Sequence, residues 1–193
     1  YAAGAKVAVL WQGQSWPARD ASGTARRYLM HYEDADWSAR AYYVRAGYTF
    51  ALLPWTPNLS YRYASFSGDD PSTRTYERFD NQLSSGLDTW VQGVNAKKVV
   101  GNSNLNSHRI RLNVAPTPKL SLTFDFFWLL ANESVGSSDY AQELNLGVRW
   151  AISRNLYFLG VAGIAFPGDN LKQQAGGDLD NWTTVQASLF WNF

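Results

Sequence analysis

The sequence has no cysteine, one methionine and two histidines among its 193 residues. Without cysteine there is no disulfide scaffold and no thiolate zinc site. Charges nearly cancel, 17 Lys and Arg against 16 Asp and Glu for a net +1, so the chain carries no electrostatic footprint for nucleic acid. A transmembrane helix needs an apolar run of about 18 or more residues, and a polar or charged residue interrupts each candidate here. Nor does the chain start as a secretory signal does, with basic residues ahead of an apolar core. Tyr1 to Lys6 already approach strand alternation, and the expectation is a processed chain or a piece of a longer one. What is abundant is aromatic: nine Trp, eleven Tyr and ten Phe make up 16% of the chain, within 46% hydrophobic residues. A disordered chain would be poor in these residues. The length suits one domain, 1–193.

Period-two alternation recurs in segments longer than the usual strand of a soluble sandwich. It predicts eight strands, at 3–15, 36–51, 55–66, 104–116, 119–132, 139–153, 155–167 and 181–193. Clusters of Gly, Asn, Asp, Ser and Pro separate them, and no helical periodicity competes over a comparable length. Tight turns are expected at Leu52 to Pro54, Pro116 to Pro118 and Ser153 to Asn155, with longer links at 16–35, 67–103, 133–138 and 168–180. Short turns alternating with long loops, the loops all on one end, is the pattern of an outer-membrane barrel.

Within the strands one face is apolar and the other polar. Leu120, Leu122, Phe124, Phe126, Trp128 and Leu130 oppose Ser121, Thr123 and Asp125; Leu144, Leu146, Val148, Trp150 and Ile152 oppose Glu143, Asn145, Gly147 and Arg149; Ile110, Leu112 and Val114 oppose Arg109, Arg111 and Asn113. A sandwich would show the same alternation. Strand length, the turn and loop asymmetry and the aromatic content favour an all-β antiparallel transmembrane barrel with lipid outside and water inside. Small and apolar residues occupy both faces of 155–167, which leaves its orientation unassigned. Trp37, Tyr140, Trp150, Tyr157 and Trp191 read as interfacial girdle aromatics rather than sugar platforms. In the last strand Val185, Ala187, Leu189, Trp191 and Phe193 share one face, and Thr184, Gln186, Ser188 and Asn192 the other. A terminal amphipathic strand closing on Phe is similar to the signal read by barrel-assembly machinery.

Face parity yields candidate lumen residues: the cations Lys6, Arg45, Arg62, Arg109, Arg111 and Arg149, with the acids Asp125 and Glu143. Arg or Lys facing lipid at mid-depth would cost about 2–4 kcal/mol, which argues for the inward side. An excess of inward positive charge implies a path preferring anions, with guanidinium forks offered to carboxylates. An equally open reading is that these arginines pair with Asp125, Glu143 and other strands and only hold a water-filled interior together. The acids of 67–103 (Asp69, Asp70, Asp80, Asp88) lack the spacing of a calcium loop, so that segment is expected to be a solvated loop, although it could also fold into the mouth as a constriction. No metal or other cofactor is expected. His108 shares the parity of Ile110 and Leu112 and is expected outside at the rim; His31 falls in a link. With no nucleophile motif nearby, the chain is not expected to be an enzyme.

Two stretches go further. The first runs from Asp36-Trp37 to Gly47-Tyr48-Thr49-Phe50, then from Pro57 to Ser67-Gly68-Asp69. The second holds Phe79-Asp80, Gly86, Asp88, Trp90, Gln92-Gly93, Gly101 to Leu105, His108 and Arg111-Leu112. This resembles the alginate export porin family of Gram-negative outer membranes, over most of the chain from about 36 onward. The family pattern differs at Gln82-Leu83 and at Gly101-Asn102, which bears on the solute more than on the fold. The resemblance implies a barrel of about twice this many strands, of which this chain is the C-terminal half, since an eight-stranded barrel alone has an interior just wide enough to be filled by side chains. It implies passive passage of an anionic polysaccharide or related anionic solute. The implied partners are outer-membrane lipid and lipopolysaccharide, the solute, and the assembly machinery through the strand ending in Phe193. The alternative is a small closed barrel with a structural or partner-binding role and no conduction.

Overall fold

Alternating side chains and the turn clusters between them produce one antiparallel sheet. The computed structural model describes residues 5–16, 37–80 and 91–192, with 5–16 and Trp37 described along the main chain only. The strands are β1 (Ala5–Trp16), β2 (Trp37–Thr49), β3 (Asn58–Phe66), β4 (Leu105–Thr117), β5 (Leu120–Leu130), β6 (Asp139–Ala151), β7 (Leu156–Pro167) and β8 (Trp182–Trp191). Each pairs antiparallel with its neighbour in sequence, in the order β1 to β8. All eight expected strands form. Among the described residues no ladder joins β1 to β8, so the sheet is open. No described helix is long and apolar enough to cross a membrane, which says nothing of crossing by strands.

The links after β1, β3, β5 and β7 leave one end of the sheet, here the loop end, and the short links leave the other, the turn end. The link after β1 lies outside the described residues. Two connections differ from expectation. The turn placed at Leu52 to Pro54 occupies 50–57, because Trp55 and Thr56 adopt left-handed backbone (φ 64° and 42°). It is an ordered turn, closed by the Phe50 N–H to the Pro57 carbonyl at 2.8 Å and joined to β4 by the Ala115 N–H to the Trp55 carbonyl at 2.9 Å. The link 168–180 holds a two-turn helix, α1 (Asp169–Ala175), capped by Gly168 and by Gly176 at φ 76°. Seven residues are too few to show an apolar stripe, although Asp169 at its start and Gly176 at its end are ordinary boundary signals.

The packed core sits at the loop end of the polar face. There Ala41, Ala64, Phe66, Leu105, Phe127, Leu129 and Ala141 from the strands enclose Phe79, Val91, Ala96 and Val100 of the link between β3 and β4. The opposite face leaves its large apolar side chains exposed, among them Val44, Tyr61, Ile110, Phe124, Leu144, Trp150, Leu189 and Trp191. In water such a continuous apolar surface would be a liability.

Candidate site on the polar face of the sheet

Strand register brings the sequence-predicted cations to one face. Arg45 stands opposite Arg62, and Arg62 opposite Arg109, so three arginines lie side by side across β2, β3 and β4. Arg111 stands opposite Asp125, then Asn145, Gly163 and Thr184 in register across β5 to β8. Arg149 lies four residues beyond Asn145 toward the turn end. Lys6 has its main chain opposite Gly47 of this face; its side chain lies outside the described residues.

The environments of these cations differ. Arg62 and Arg109 are each 1% exposed. Arg62 donates from Nη2 to the Val91 carbonyl at 3.2 Å, and both have further interaction partners. Arg111 grips Asp125 in a two-point pair, Nε to Oδ1 at 2.6 Å and Nη2 to Oδ2 at 2.8 Å. The reading in which arginines pair with inward acids thus holds for Arg111 and Asp125. It does not hold for Glu143, which accepts main-chain N–H groups instead, from Asn95 at 2.9 Å and Ala96 at 2.7 Å. Arg45 is half-buried and Arg149 exposed. Below the row of three, toward the turn end, lies a cavity of about 390 Å3 lined by Arg111, Asp125, Asn145, Arg149, Gln186 and Ser188.

The solvated loop expected over 67–103 is overturned at 91–96 and at Phe79, which are buried, while Pro71 to Arg74 and Lys97 to Val99 are exposed as expected. Residues 91–96 are buried against the polar face. Val91 takes the Ser107 hydroxyl as well as Arg62. Thr184 donates to Asn95 Oδ1 at 2.6 Å and accepts from Lys98 Nζ at 2.9 Å. The stretch 67–80 is also held: the Phe79 N–H reaches the Ser67 carbonyl at 3.1 Å, and Phe66 and Phe79 meet edge to face. Its acids serve local turns. Asp69 accepts the Glu77 N–H at 3.0 Å. Asp70 accepts the Ser72 N–H at 2.9 Å, and hydrogen bonding from Ser72 holds its carboxyl below the usual carboxylate range. Asp88 lies outside the described residues.

A signal for the covered region was present. The polar face turns apolar toward the loop end, at Phe66, Leu105, Phe127, Leu129 and Ala165, which a purely water-lined face would not do. The same covering bears on 155–167. Gly163 and Ala165 pair with Asn145 and Glu143 on the polar face, and Gly163 is crowded from two sides. A Cβ on it would run into Asn145 Oδ1 of the adjacent strand, and would fall 2.5 Å from Val94 Cγ2 and 3.0 Å from Asn95 Nδ2 of the 91–100 segment.

His108 stands on the apolar face, with its Nδ1 at 2.8 Å from the Tyr61 hydroxyl and its ring against Tyr63 and Trp128, as expected from its parity. His31 and Phe193 lie outside the described residues. Of the girdle aromatics, Trp150 and Trp191 are exposed on the apolar face. Tyr157 instead stacks on Phe190 on the polar face at 4.9 Å. Tyr140 is buried under the loops, because its hydroxyl meets Asn104 and its ring joins the core. The side chain of Trp37 lies outside the described residues.

A family model described as alginate export matches residues 20–185. No curated protein and no solved structure matches the chain.

Proposed function

The chain belongs to the alginate export family, and from that membership, which supports an export-related outer-membrane function, we propose that it is part of an outer-membrane β-barrel porin of a Gram-negative cell. An anionic polysaccharide or a related anionic solute diffuses passively along its polar face. The apolar face contacts lipid and lipopolysaccharide, and the last strand, ending in Phe193, engages the assembly machinery. Strands of 9 to 13 residues suit a tilted crossing of the bilayer.

The observation that carries this reading is the register that lines up Arg45, Arg62 and Arg109 and sets Arg111 and Arg149 on the same face. Two acids, Asp125 and Glu143, share that face, and Asp139 stands at its loop-end rim. Three arginines side by side raise the positive potential along this face. A path lined by guanidinium groups attracts anions and binds carboxylates weakly enough to release them. Arg45 and Arg149 are the groups most open to a passing solute. Arg62, bonded to Val91, and Arg109, equally buried, contribute their field from below the surface of that face.

The test is conduction by the full-length protein in a planar bilayer. Arg45→Glu with Arg149→Glu should lower anion-over-cation selectivity and slow the passage of a polyuronate. Equal flux and equal selectivity after the change would sink the reading. Arg109→Glu with Arg111→Glu is a poorer test, since it would bury one carboxylate at position 109 and set another opposite Asp125.

One observation favours a second reading, a small barrel with a structural or partner-binding role. The segment 91–100 fills the loop-end part of the polar face. On that reading the full-length protein conducts no ions at all.

A further inference from the structure

The residues that hold the segment 91–100 come from strand after strand. Arg62 of β3 and Ser107 of β4 hold Val91, Glu143 of β6 holds Asn95 and Ala96, Gly163 of β7 makes room for Val94, and Thr184 of β8 holds Asn95. The segment therefore lies across the strands as a bar spanning β3 to β8, not as a loop standing above them.

Glu143 is the unusual member. It is 0% exposed. Its cross-strand neighbours are Phe127 and Ala165, so the sheet itself offers it no cation. Burying a carboxylate is costly unless charge-assisted hydrogen bonds replace its water, and an apolar residue would serve the sheet as well. The two oxygens are instead each taken by a main-chain N–H of the bar. The bar is shaped to receive them. Gly93 takes φ 87°, and a Cβ there would fall 2.5 Å from Glu143 Cδ.

We propose that the segment 91–100 is the constriction of the solute path and that Glu143 is the positioning residue that sets its bore. This rests on the porin reading above. Glu143 fixes the height of the bar over the polar face, and the cavity lined by Arg111 and Arg149 is the wider part of the path toward the turn end. In Glu143→Gln one acceptor oxygen becomes a carboxamide NH2 facing an N–H donor, so one of the two bonds is lost and the bar's seat on β6 loosens.

Purified full-length protein in planar bilayers tests this through conductance and through the largest polyethylene glycol that enters the channel. Glu143→Gln should raise single-channel conductance about twofold or more and admit a larger polymer. Gly93→Ala leaves Glu143 in place but pushes the bar away, and should do the same if Glu143→Gln fails to assemble. Adding Asn95→Cys and Thr184→Cys to Glu143→Gln places two thiols where the native side chains already meet at 2.6 Å, in a chain without other cysteines. Oxidation should return conductance and polymer cut-off toward wild type, and reductant should release them again. Lower assembly yield with unchanged conductance and cut-off in the inserted channels would overturn the proposal, leaving Glu143 a packing residue. So would an oxidised pair that fails to restore them. A wild-type protein that conducts nothing would instead overturn the porin reading, and this inference with it.

Discussion

At the scale of single residues, parity was a sufficient guide to direction but not to environment. Every second residue of a strand points the same way, so Arg45, Arg62, Arg109, Arg111 and Arg149 could be assigned to one face from sequence, and the register agrees. What parity does not contain is what lies above that face. Arg62 is held by the Val91 carbonyl, 29 positions away in sequence, and no local pattern encodes that contact. Arg111 and Asp125 give the plainest energetic consequence. Removing Arg111 strands a carboxylate that is 4% exposed. Breaking a buried pair costs about 3–5 kcal/mol, whereas replacing both members by apolar groups of similar size is close to neutral. The Arg111 side chain is 21% exposed, so water relieves part of the loss. Arg111→Met should therefore destabilise by about 3 kcal/mol, and Arg111→Met with Asp125→Leu should recover most of it. The urea midpoint for loss of the folded, heat-modifiable band on a gel would show the difference. A double variant no better than the single one would mean that Asp125 is not stranded.

At the scale of elements, strands were legible and irregular pieces were not. Eight long alternating segments, with turn residues between them, left little room for another reading. The bar and α1 are short, and their form comes from tertiary contacts rather than periodicity. The turn at 50–57 failed for a different reason: Leu52, Leu53 and Pro54 looked like a tight turn, yet the chain folds through two left-handed residues that are neither Gly nor Asn. Such backbone costs about 1–2 kcal/mol per residue for L-amino acids. A glycine there relieves the strain but adds about 0.5–1 kcal/mol of unfolded-state entropy. Thr56, β-branched at φ 42°, has more to gain than to lose. Thr56→Gly should stabilise by about 0.5 kcal/mol, the difference of these two terms, seen as a small rise in the urea midpoint. A fall would mean that the Thr56 side chain contributes more than its backbone costs. Gly163→Val tests the bar's seat on β7. The added side chain would collide with Asn145 of β6 as well as with Val94 and Asn95 of the bar, and overpacking of this kind costs about 1–3 kcal/mol. Cleavage by added protease at 91–100 should then become faster, while a variant as resistant as the wild type would show that the bar can shift without loosening.

At the scale of the whole molecule the open edges carry the argument. β1 and β8 each have one neighbour among the described residues. In hydrocarbon an unpaired edge leaves a row of N–H and C=O groups without partners, each costing several kcal/mol, so in the proposed barrel both edges are paired. An even number of antiparallel strands makes two closures compatible with direction. Either β1 meets β8 directly, or further strands stand between them. The first gives an eight-stranded barrel whose interior is just wide enough for side chains. On the porin reading, so narrow an interior, already carrying the bar, leaves no room for a polymer. Further strands are therefore expected. The absence of cysteine makes the test clean. Single cysteines stepped along one face of β1, at Ala5, Val7, Val9 and Trp11, each combined with single cysteines stepped along the same face of β8, at Thr183, Val185, Ala187 and Leu189, sample the registers in which the two edges could meet. Oxidation of the protein in its native membrane should give no intramolecular cross-link for any pair, while a control pair across β7 and β8, such as Ala162→Cys with Val185→Cys, which are register partners, should cross-link readily. An efficient β1 to β8 cross-link would mean that these strands close on each other, and it would leave the bar as a plug in a small barrel rather than a constriction in a large one.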